Sequence, residues 1–298
     1  MGLLILQKNY SITIGIPTKN RTDKLVNCLR AIENQNFRDF NVIIVDGSEG
    51  NETEKSSLFF SNSIDILYIK QIKSGVSNAR GLIAEHCNSE LLLYIDDDVY
   101  LNNDSLSKLY DYSRSLKNSH IFLVSGEILY YRKITKPIKL TPQGAGFSTT
   151  ASNADYILGA LMLIPKSVYK KIHWTERFAG WGFEEVLYCL MCKRYGVKIC
   201  WINSLLAVHD DKKDTIFSVN TEINRVYTML YKHIFEEPSL LNMVILESAG
   251  FLRNLIINSM SNLLSPKKLT SFIFSYVRAW TIGHVMFFED LNRLKYFF

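Results

Sequence analysis

Three consecutive carboxylates, those of Asp96, Asp97 and Asp98, follow an apolar run from Leu91 to Ile95. An uninterrupted apolar run of this length is typical of a strand covered on both faces of a parallel sheet. Ligands of open α/β sheets bind beyond the carboxyl ends of such strands. Two neighbouring carboxylates repel each other by roughly 4 kcal/mol at about 4 Å and an effective dielectric near 20. Mg²⁺ offsets such repulsion and commonly binds one or two carboxylates with substrate phosphates, so the triplet indicates a metal site for a phosphorylated ligand.

The alternative interpretation of the triplet is a solvated acidic turn. The apolar run before it favours the metal site, because it indicates a buried strand that ends at the carboxylates. Side chains alternate along an extended segment, so Asp96 and Asp98 are expected on the same side.

The segments before the triplet alternate strands and helices in the order of a nucleotide-binding sheet. Residues 11–17 are a predicted strand that ends at Pro17, and residues 40–45 are a second strand that ends in a glycine-containing turn. Between them, Thr22 or Asp23 can cap a helix whose apolar residues share one face. This β-α-β start predicts a parallel α/β sheet. The chain lacks both G-x-G-x-x-G and G-x-x-x-x-G-K-[ST], so a dehydrogenase and a P-loop NTPase are disfavoured.

Arg80 is a candidate for binding phosphate groups. It lies near the first turn of a helix that follows Gly75, after a third predicted strand over residues 64–69. A guanidinium presents its donors in a fixed fork, which suits a diphosphate near a helix N-terminus. Taken alone, an ordinary surface arginine is the better interpretation of this residue.

Four short motifs in this part of the chain resemble a known family when they are taken together. They are Ile16-Pro17-Thr18-Lys19-Asn20-Arg21, Val45-Asp46-Gly47-Ser48, Ser77-Asn78-Ala79-Arg80 and Ile95-Asp96-Asp97-Asp98. Their order and spacing over residues 11 to about 100 resemble the nucleotide-sugar half of the GT-A glycosyltransferases of family 2. Each motif alone is weak, and four in register are specific. The resemblance implies an α/β fold of the GT-A type, Rossmann-like, with a mostly parallel sheet and flanking helices.

The resemblance also implies a role for each residue on the donor side. Asp98 would bind Mn²⁺ or Mg²⁺, and Asp96 would contact the ribose or a water on the metal. Asp46, at the end of the second strand, would accept the N3–H of uracil or thymine, which disfavours cytosine without excluding guanine. Arg80 would stabilise the charge of the leaving diphosphate together with the metal. The other residues expected around the nucleotide are Pro17, Thr18, Arg21 and Asp97.

A second candidate site is the segment Phe178-Ala179-Gly180-Trp181-Gly182-Phe183-Glu184-Glu185, which leads into a predicted helix over residues 186–195. The glycines allow a tight bend, and an indole face suits the apolar side of a sugar ring. Two carboxylates at a helix N-terminus also fit a simple interaction with the helix dipole, worth under about 1 kcal/mol. The segment resembles the acceptor-side motif of the same family, which usually ends in Glu-Asp. The resemblance assigns the catalytic base to Glu185 and substrate contacts to Trp181, Gly182 and Glu184.

His209 follows two short apolar strands, predicted over residues 197–201 and 205–208. A lone histidine after a strand is more often structural than functional. Its position after the acidic motif resembles that of a further metal ligand in the family, and imidazole suits Mn²⁺. The resemblance therefore adds His209 to Asp98 as a metal ligand.

These motifs together predict an inverting glycosyltransferase that moves a sugar from a nucleotide-diphosphate donor to a hydroxyl of a glycan or lipid-linked acceptor. A UDP- or dTDP-sugar is the favoured donor, and Glu185 would take the acceptor proton. Two alternatives stay open. A sugar nucleotidyltransferase is expected to carry a glycine-rich basic loop after its first strand, where Ile16-Pro17-Thr18 stands instead. A non-catalytic nucleotide-sugar or glycan-binding module is disfavoured by the presence of Asp98, Glu185 and His209.

Length and composition limit the class of protein further. The 298 residues are 47% hydrophobic, which is enough for one large α/β domain with an extension. The net charge is +5 and no basic run appears, so no nucleic-acid partner is expected. Five cysteines without a disulfide spacing fit a reducing cytoplasm. The first residues lack the charged and apolar regions of a signal peptide, so none is expected.

The sequence divides into a GT-A-like catalytic region, residues 1–213, and a C-terminal helical region, residues 214–298. Residues 130–153 have no clear period and predict a mobile acceptor loop. Apolar residues recur at helical spacing in the C-terminal region, but Arg278 interrupts the stretch 269–288, where a central arginine costs about 2.5–3.5 kcal/mol on membrane insertion. We therefore expect these helices to lie on an anionic membrane surface, at its cytoplasmic face. The alternative is that they pack on the catalytic region or form a homo-oligomer.

Overall fold

The computed structural model of the chain describes residues 9–116, 121–210, 218–246 and 266–296. Within these ranges, nine strands form one mixed sheet, and two short strands form a separate hairpin. Helices pack on both faces of the sheet. The predicted α/β class is therefore confirmed.

The elements have the following bounds. The strands are β1 (Ile12–Thr18), β2 (Phe40–Asp46), β3 (Ile66–Lys70), β4 (Leu91–Ile95), β5 (Val99–Leu101), β6 (Phe122–Tyr130), β7 (Lys133–Ile134), β8 (Ile138–Leu140), β9 (Gly146–Ser148), β10 (Leu161–Pro165) and β11 (Lys198–His209). The helices are α1 (Thr22–Glu33), α2 (Glu52–Leu58), α3 (Val76–His86), α4 (Ser105–Ser115), α5 (Lys166–Tyr169), α6 (Glu184–Arg194), α7 (Val219–Tyr231), α8 (Leu240–Ile245) and α9 (Pro266–Tyr296). A π-helical turn, Lys232–Glu236, continues α7, and Ala151–Asn153 is a 3₁₀ turn.

The order of strands in the sheet brings the predicted site residues to one edge. That order is β3-β2-β1-β4-β10-β6-β11-β5, with β7 paired to β6. Strands β1 to β4 run parallel, and Thr18 at the end of β1 pairs with Asp46 at the end of β2. Strand β4 lies on the other side of β1, and its last residue, Ile95, directly precedes Asp96. The carboxyl ends of β1, β2 and β4 therefore meet, as expected of a ligand site in such a sheet.

Strand β11 brings His209 to the same edge from a distant part of the sequence. It runs parallel to β6 and antiparallel to β5, and His209 stands opposite Val99. Since Val99 is the residue after the acidic triplet, this register places the imidazole beside the carboxylates.

Three local predictions differ from the structure. The two strands predicted at residues 197–201 and 205–208 form one strand, β11. The pairing of β11 with β6 changes register after Ile202, and this irregularity accommodates the polar residues between the two predicted strands. Residues 130–153 contain β7 and the β8–β9 hairpin, because strands of two or three residues are too short to show a period. Thr22 and Asp23, the predicted caps of α1, lie inside the helix, whose N-cap position is Arg21, and no side chain caps it.

The C-terminal helices share a hydrophobic core with the catalytic region. Val226 of α7 and Phe287 of α9 belong to the same buried cluster as Val186 of α6 and Ile83 of α3. On the opposite face of the sheet, α1 and α4 pack on a second cluster. No helix among the described residues is long and apolar enough to cross a membrane. The part of the predicted helical region at residues 247–265 lies outside the described ranges.

Candidate active site

The acidic triplet, residues 96–98, forms a tight turn between β4 and β5. The backbone amide of Val99 donates to the carbonyl of Asp96 at 3.1 Å and closes the turn. The turn, and not the alternation of an extended strand, therefore sets the direction of each carboxylate. A buried strand before the turn and a buried strand after it fix its position at the sheet edge.

Two residues near the end of β1 hold two of these carboxylates. The hydroxyl of Thr18 donates to Asp97 Oδ2 at 2.7 Å. Arg21 Nη1 lies 3.3 Å from Asp97 Oδ1 and 2.7 Å from Asp98 Oδ2. Burial raises the pKa of Asp97 to about 7, although Thr18 and Arg21 act in the opposite direction. Thr18 and Arg21, both predicted at the nucleotide, thus lie directly against the acidic turn.

Asp96, Asp98 and His209 form a compact group of metal-ligating side chains. One ligand atom of each lies within 4.8 Å of the others, and His209 Nε2 is 3.4 Å from Asp98 Oδ1. His209 Nδ1 is buried and has no hydrogen-bond partner within the described ranges. Carboxylate oxygens and an imidazole nitrogen are ligands that Mn²⁺ accepts, and Mg²⁺ prefers the oxygens. The residues present therefore fit a divalent cation.

Arg80 joins the acidic turn to the acceptor-side motif. Its Nη2 is 3.0 Å from Asp96 Oδ1, and its Nη1 is 3.1 Å from Glu184 Oε1. The side chain is 3% exposed and its guanidinium lies 5.0 Å from the centroid of the Trp174 ring. Gly159 leaves room for it, since a Cβ there would lie 2.8 Å from Nη2. Arg80 is thus a buried link between two parts of the site, and its contact with a diphosphate stays a prediction.

The acceptor-side motif is a sharply bent loop followed by α6. Gly180 and Gly182 have φ angles of +74° and +97°, which glycine adopts without strain. Phe183 has φ of +67°, and α6 begins at the next residue, Glu184. Trp181 is 62% exposed, so its indole presents a flat apolar face to solvent. The local geometry therefore keeps a tryptophan accessible within a few residues of the carboxylates.

Glu185 is half-buried in the first turn of α6. Burial, and after it the charge of Glu184, raises the pKa of Glu185 to about 8, whereas Arg80 acts in the opposite direction. Glu184 Oε2 is buried without a hydrogen-bond partner within the described ranges. A carboxylate with this proton affinity is suited to accept a proton from a hydroxyl near neutral pH.

Asp46 is fully buried and its carboxylate is bonded on both oxygens. Oδ1 accepts hydrogen bonds from the amide and hydroxyl of Ser48 at 2.8 and 2.5 Å. Oδ2 accepts hydrogen bonds from the Tyr68 hydroxyl at 2.5 Å and from Lys70 Nζ at 3.2 Å. Burial alone would raise the pKa of Asp46, but these bonds hold it below its usual range. A contact between Asp46 and a nucleobase stays a prediction, and it requires one of these donors to move.

An open pocket of about 610 Å³ is lined in part by the two residues that bond Asp46 Oδ2. Its lining includes Tyr68 and Lys70, together with Glu49, Gly50, Asn51 and Glu54. Pro17, also predicted at the nucleotide, lies in β1 opposite Val45 of β2. Tyr68 and Lys70 therefore lie between this pocket and the predicted base-binding residue, Asp46.

Sequence reasoning missed several residues that hold the site. Tyr68 and Lys70 lie in β3, beside β2, so the rule for the carboxyl ends of parallel strands could have identified them. The ring of Trp174 lies against the Arg80 guanidinium. No sequence pattern predicts this contact, because Trp174 lies in an irregular segment. Thr221 and Asn224 of α7 contact the acceptor-side loop, and the sequence places them in the C-terminal region, far from every motif.

Comparison with known proteins identifies the class. Solved structures of the GT-A glycosyltransferase fold superpose on nearly the whole chain. S. aureus TarS 1-349 in complex with UDP-GlcNAc has a TM-score of 0.64 at 15% identity, covering 90% of this chain and 79% of that one. The mannosyltransferase PcManGT from Pyrobaculum calidifontis, in complex with GDP-Man and Mn²⁺, has a TM-score of 0.59 at 13% identity, covering 95% and 88%. The expected GT-A fold is therefore confirmed.

The chain belongs to glycosyl transferase family 2, whose family model matches residues 13–172. The family that the motifs predict is therefore confirmed. Among curated proteins, the glycosyltransferase GlyA of Streptococcus pneumoniae serotype 4 is 29% identical over 100 residues, which are 33% of this chain. The match spans only 14% of that relative's length, and the chain covers 49% of another TarS structure.

Proposed function

We propose that this glycosyltransferase moves a sugar, with inversion, from a nucleoside diphosphate to a hydroxyl group and uses a divalent cation. One observation carries the proposal. Buried Arg80 lies between Asp96 of the metal-ligating group and Glu184, the neighbour of Glu185. A single side chain thus connects the place suited to a diphosphate with the place suited to a general base.

On the donor side, Asp96, Asp98 and His209 would hold Mn²⁺ or Mg²⁺. The cation supplies Lewis acidity and charge neutralisation to the leaving diphosphate. Arg21, which lies against Asp97 and Asp98, would contact the nucleotide from beside the acidic turn.

The nucleobase would occupy the open pocket beside Asp46. Asp46 would accept the N3–H of uracil or thymine in place of one of its present donors, which favours a UDP- or dTDP-sugar. The neighbours TarS with UDP-GlcNAc and PcManGT with GDP-Man support a nucleotide-sugar donor of this general kind. These two neighbours do not favour a particular nucleobase.

On the acceptor side, Glu185 would take the proton of an acceptor hydroxyl. As that proton leaves, the hydroxyl oxygen bonds to the anomeric carbon from the face opposite the diphosphate. The bond from the anomeric carbon to the diphosphate oxygen breaks, and its electron pair stays on the diphosphate. Attack from the opposite face inverts the anomeric centre. Trp181, exposed within a few residues of Glu185, would stack on the acceptor or donor sugar.

A panel of nucleotide sugars tests the proposal. Release of nucleoside diphosphate is measured with UDP-, dTDP- and GDP-sugars, with and without Mn²⁺, and with simple glycan acceptors. We expect acceptor-stimulated release with at least one uridine or thymidine donor, and loss of release on chelation of the metal. Donor binding without release under any condition would favour a non-catalytic binding module.

We also propose that α9 rests on an anionic membrane surface that carries a glycan or lipid-linked acceptor. The outer side of α9 exposes four apolar side chains together with one arginine: Phe274, Val277, Arg278, Val285 and Phe288. Aromatic and basic residues on one side of a helix suit such a surface. The full chain should float with anionic vesicles at low salt, and the Phe274→Ser/Phe288→Ser variant should float less. A chain that stays unbound and forms dimers would instead support a homo-oligomer through the C-terminal helices.

A further inference from the structure

The loop Gly180–Gly182, here called the acceptor loop, has each of its three carbonyls fixed by a donor from a different position in the fold. The carbonyl of Gly180 accepts from the Val76 amide of α3 at 3.3 Å. The carbonyl of Trp181 accepts from the Thr221 hydroxyl at 2.9 Å, and that of Gly182 accepts from Asn224 Nδ2 at 2.9 Å. Two of the three donors are therefore side chains of α7, in the C-terminal region.

The first turn of α7 is shaped to meet this loop. Ser218 precedes the helix, and its hydroxyl accepts a hydrogen bond from the Thr221 amide at 3.4 Å, which is typical of an N-cap. A Cβ on Gly182 would lie 2.7 Å from Thr221 Cγ2, so only glycine allows the close approach. Asn224 is 1% exposed, and its amide therefore has no access to bulk water as a substitute partner.

The position of the loop determines where the proposed base stands. Phe183 follows the loop in a left-handed conformation, and α6 starts at Glu184. Between the fixed carbonyl of Gly182 and the Glu185 side chain there are only two residues of covalent chain. A displacement of the loop is thus passed to the start of α6, and a misplacement of about 1 Å can cost roughly 10²-fold in rate.

We propose that Thr221 and Asn224 are positioning residues that hold the acceptor loop, and through it Glu185, in the arrangement needed for transfer. The inference rests on the proposed function in that Glu185 is taken as the base. The inference adds that helix α7 contributes to the active site, although α7 lies beyond the residues that match the family model. Loss of either donor leaves a loop carbonyl without its partner and loosens the loop.

Variants in α7 test the proposal. Thr221→Val removes the hydroxyl but keeps a methyl against Gly182, whereas Thr221→Ser keeps the hydroxyl. Thr228→Val is the matched control, because Thr228 is buried in the same helix two turns later and its hydroxyl has no hydrogen-bond partner within the described ranges. Asn224→Ala removes the second donor.

Two readouts are measured on the full-length chain. The first is amide hydrogen exchange of peptides spanning residues 176–186, which needs no activity. The second is steady-state kinetics, which give kcat and the donor KM as separate quantities. We expect faster exchange confined to these peptides in Thr221→Val and Asn224→Ala, and kcat lower by roughly tenfold singly and roughly 10²-fold together. Donor KM should stay within about twofold, and Thr221→Ser and Thr228→Val should behave as the wild type.

The outcomes separate this proposal from the proposed function. If the wild type transfers no sugar, the exchange experiment alone decides, and local loosening of the loop still supports the contacts. Unchanged exchange and unchanged kcat in the Thr221→Val/Asn224→Ala variant would overturn the positioning role. Faster exchange throughout the chain, or an equal effect of Thr228→Val, would also overturn it, because α7 would then act only through global stability.

Discussion

At the scale of single residues, Glu185 is the side chain on which the proposed chemistry depends most directly. Its carboxyl group is half-buried beside a second carboxyl group, that of Glu184, and both lie near the guanidinium of Arg80. Burial and the neighbouring negative charge make Glu185 a stronger base than an exposed glutamate. The family motif that this segment resembles usually ends in aspartate, and glutamate is longer by one methylene group.

Glu185→Gln should lower kcat by about 10²–10⁴-fold, the usual contribution of a general base. Affinity for the nucleoside diphosphate should stay near that of the wild type, because Glu185 is placed on the acceptor side. Steady-state kinetics with calorimetry of the nucleotide measures both quantities. Glu184→Gln is the control, and it should act mainly on acceptor KM or local structure. If Glu184→Gln lost turnover while Glu185→Gln kept it, the base would be Glu184.

The pH dependence of the reaction follows from the pKa of Glu185. A base acts in its deprotonated form, and a pKa raised to about 8 means that activity falls as the pH drops through that value. The groups that face Glu185 are Glu184 and Asp96, which raise its pKa, Arg80, which lowers it, and Tyr156. We expect kcat/KM to rise between about pH 6 and 9, with its midpoint near pH 8, and then to level off.

The Glu184→Gln variant tests whether Glu185 is the group that titrates in the pH profile. It removes the carboxylate next to Glu185, so the midpoint of the pH profile should move to lower pH. A profile that is flat across this range in the wild type, or a midpoint that Glu184→Gln leaves unchanged, would contradict the assignment of the titrating group.

Motifs in the sequence predict the candidate site residues but not their immediate partners. Asp96, Asp98 and His209 were predicted from motifs, and they form one group in the structure. Arg80 is buried between Asp96 and Glu184, and its contact with a diphosphate stays a prediction. A motif gives the type and order of side chains, but the charges that surround a buried guanidinium come from segments that meet only in the folded chain.

At the scale of elements, the C-terminal helices are integral to the catalytic region. Helix α9 packs closely on α7 where Gly283 lacks a side chain, since a Cβ there would lie 2.8 Å from Val226 Cβ and 2.9 Å from the Ile223 carbonyl oxygen. Arg177, just before the acceptor-side motif, lies 2.7 Å from Asp290 of α9. Helix α9 therefore supports α7, which in turn contacts the acceptor loop.

Two equivalent substitutions test this packing. Gly283→Ala should lower the free energy of unfolding by about 1–2 kcal/mol, because the cost of overpacking exceeds the gain in helix propensity. Gly81→Ala is the matched control in α3, where nothing lies within 4 Å of the added methyl group. It should raise the free energy of unfolding by about 0.5–1 kcal/mol. Denaturant unfolding of the full chain measures both, and equal effects would contradict the close contact of α9 with α7.

The elements were predicted best where they are long and buried. Strands β1, β2 and β4 carry continuous apolar runs, and the structure places them as expected. The β8–β9 hairpin and the joining of two predicted strands into β11 were missed, because strand pairing and not local pattern forms them. The packing of α7 on the acceptor loop was missed for the same reason, since it joins residues about 40 positions apart.

At the scale of the whole molecule, one edge of the sheet gathers groups from four distant parts of the chain. Asp46 ends β2, the acidic turn follows β4, Glu184 begins α6 and His209 ends β11. The order of the strands, with β10 antiparallel between β4 and β6, brings them together. Parallel strands with short connections could be predicted from the sequence, but the position of β11 depends on its bulged pairing with β6 and β5.

Calorimetric titration of UDP into the full chain, with and without Mn²⁺, tests most directly whether the acidic turn holds a metal for a nucleotide. The wild type should bind UDP at least about tenfold more tightly with Mn²⁺, because the cation neutralises both the carboxylates and the diphosphate. Asp98→Asn is close in shape to the wild type but lacks the charge, so it should lose the tighter UDP binding that Mn²⁺ gives. A substitution of exposed Glu176, whose contact with Lys73 lies at the surface, should keep that tighter binding. UDP affinity that is the same in the wild type and in Asp98→Asn at every Mn²⁺ concentration would contradict the metal-dependent site.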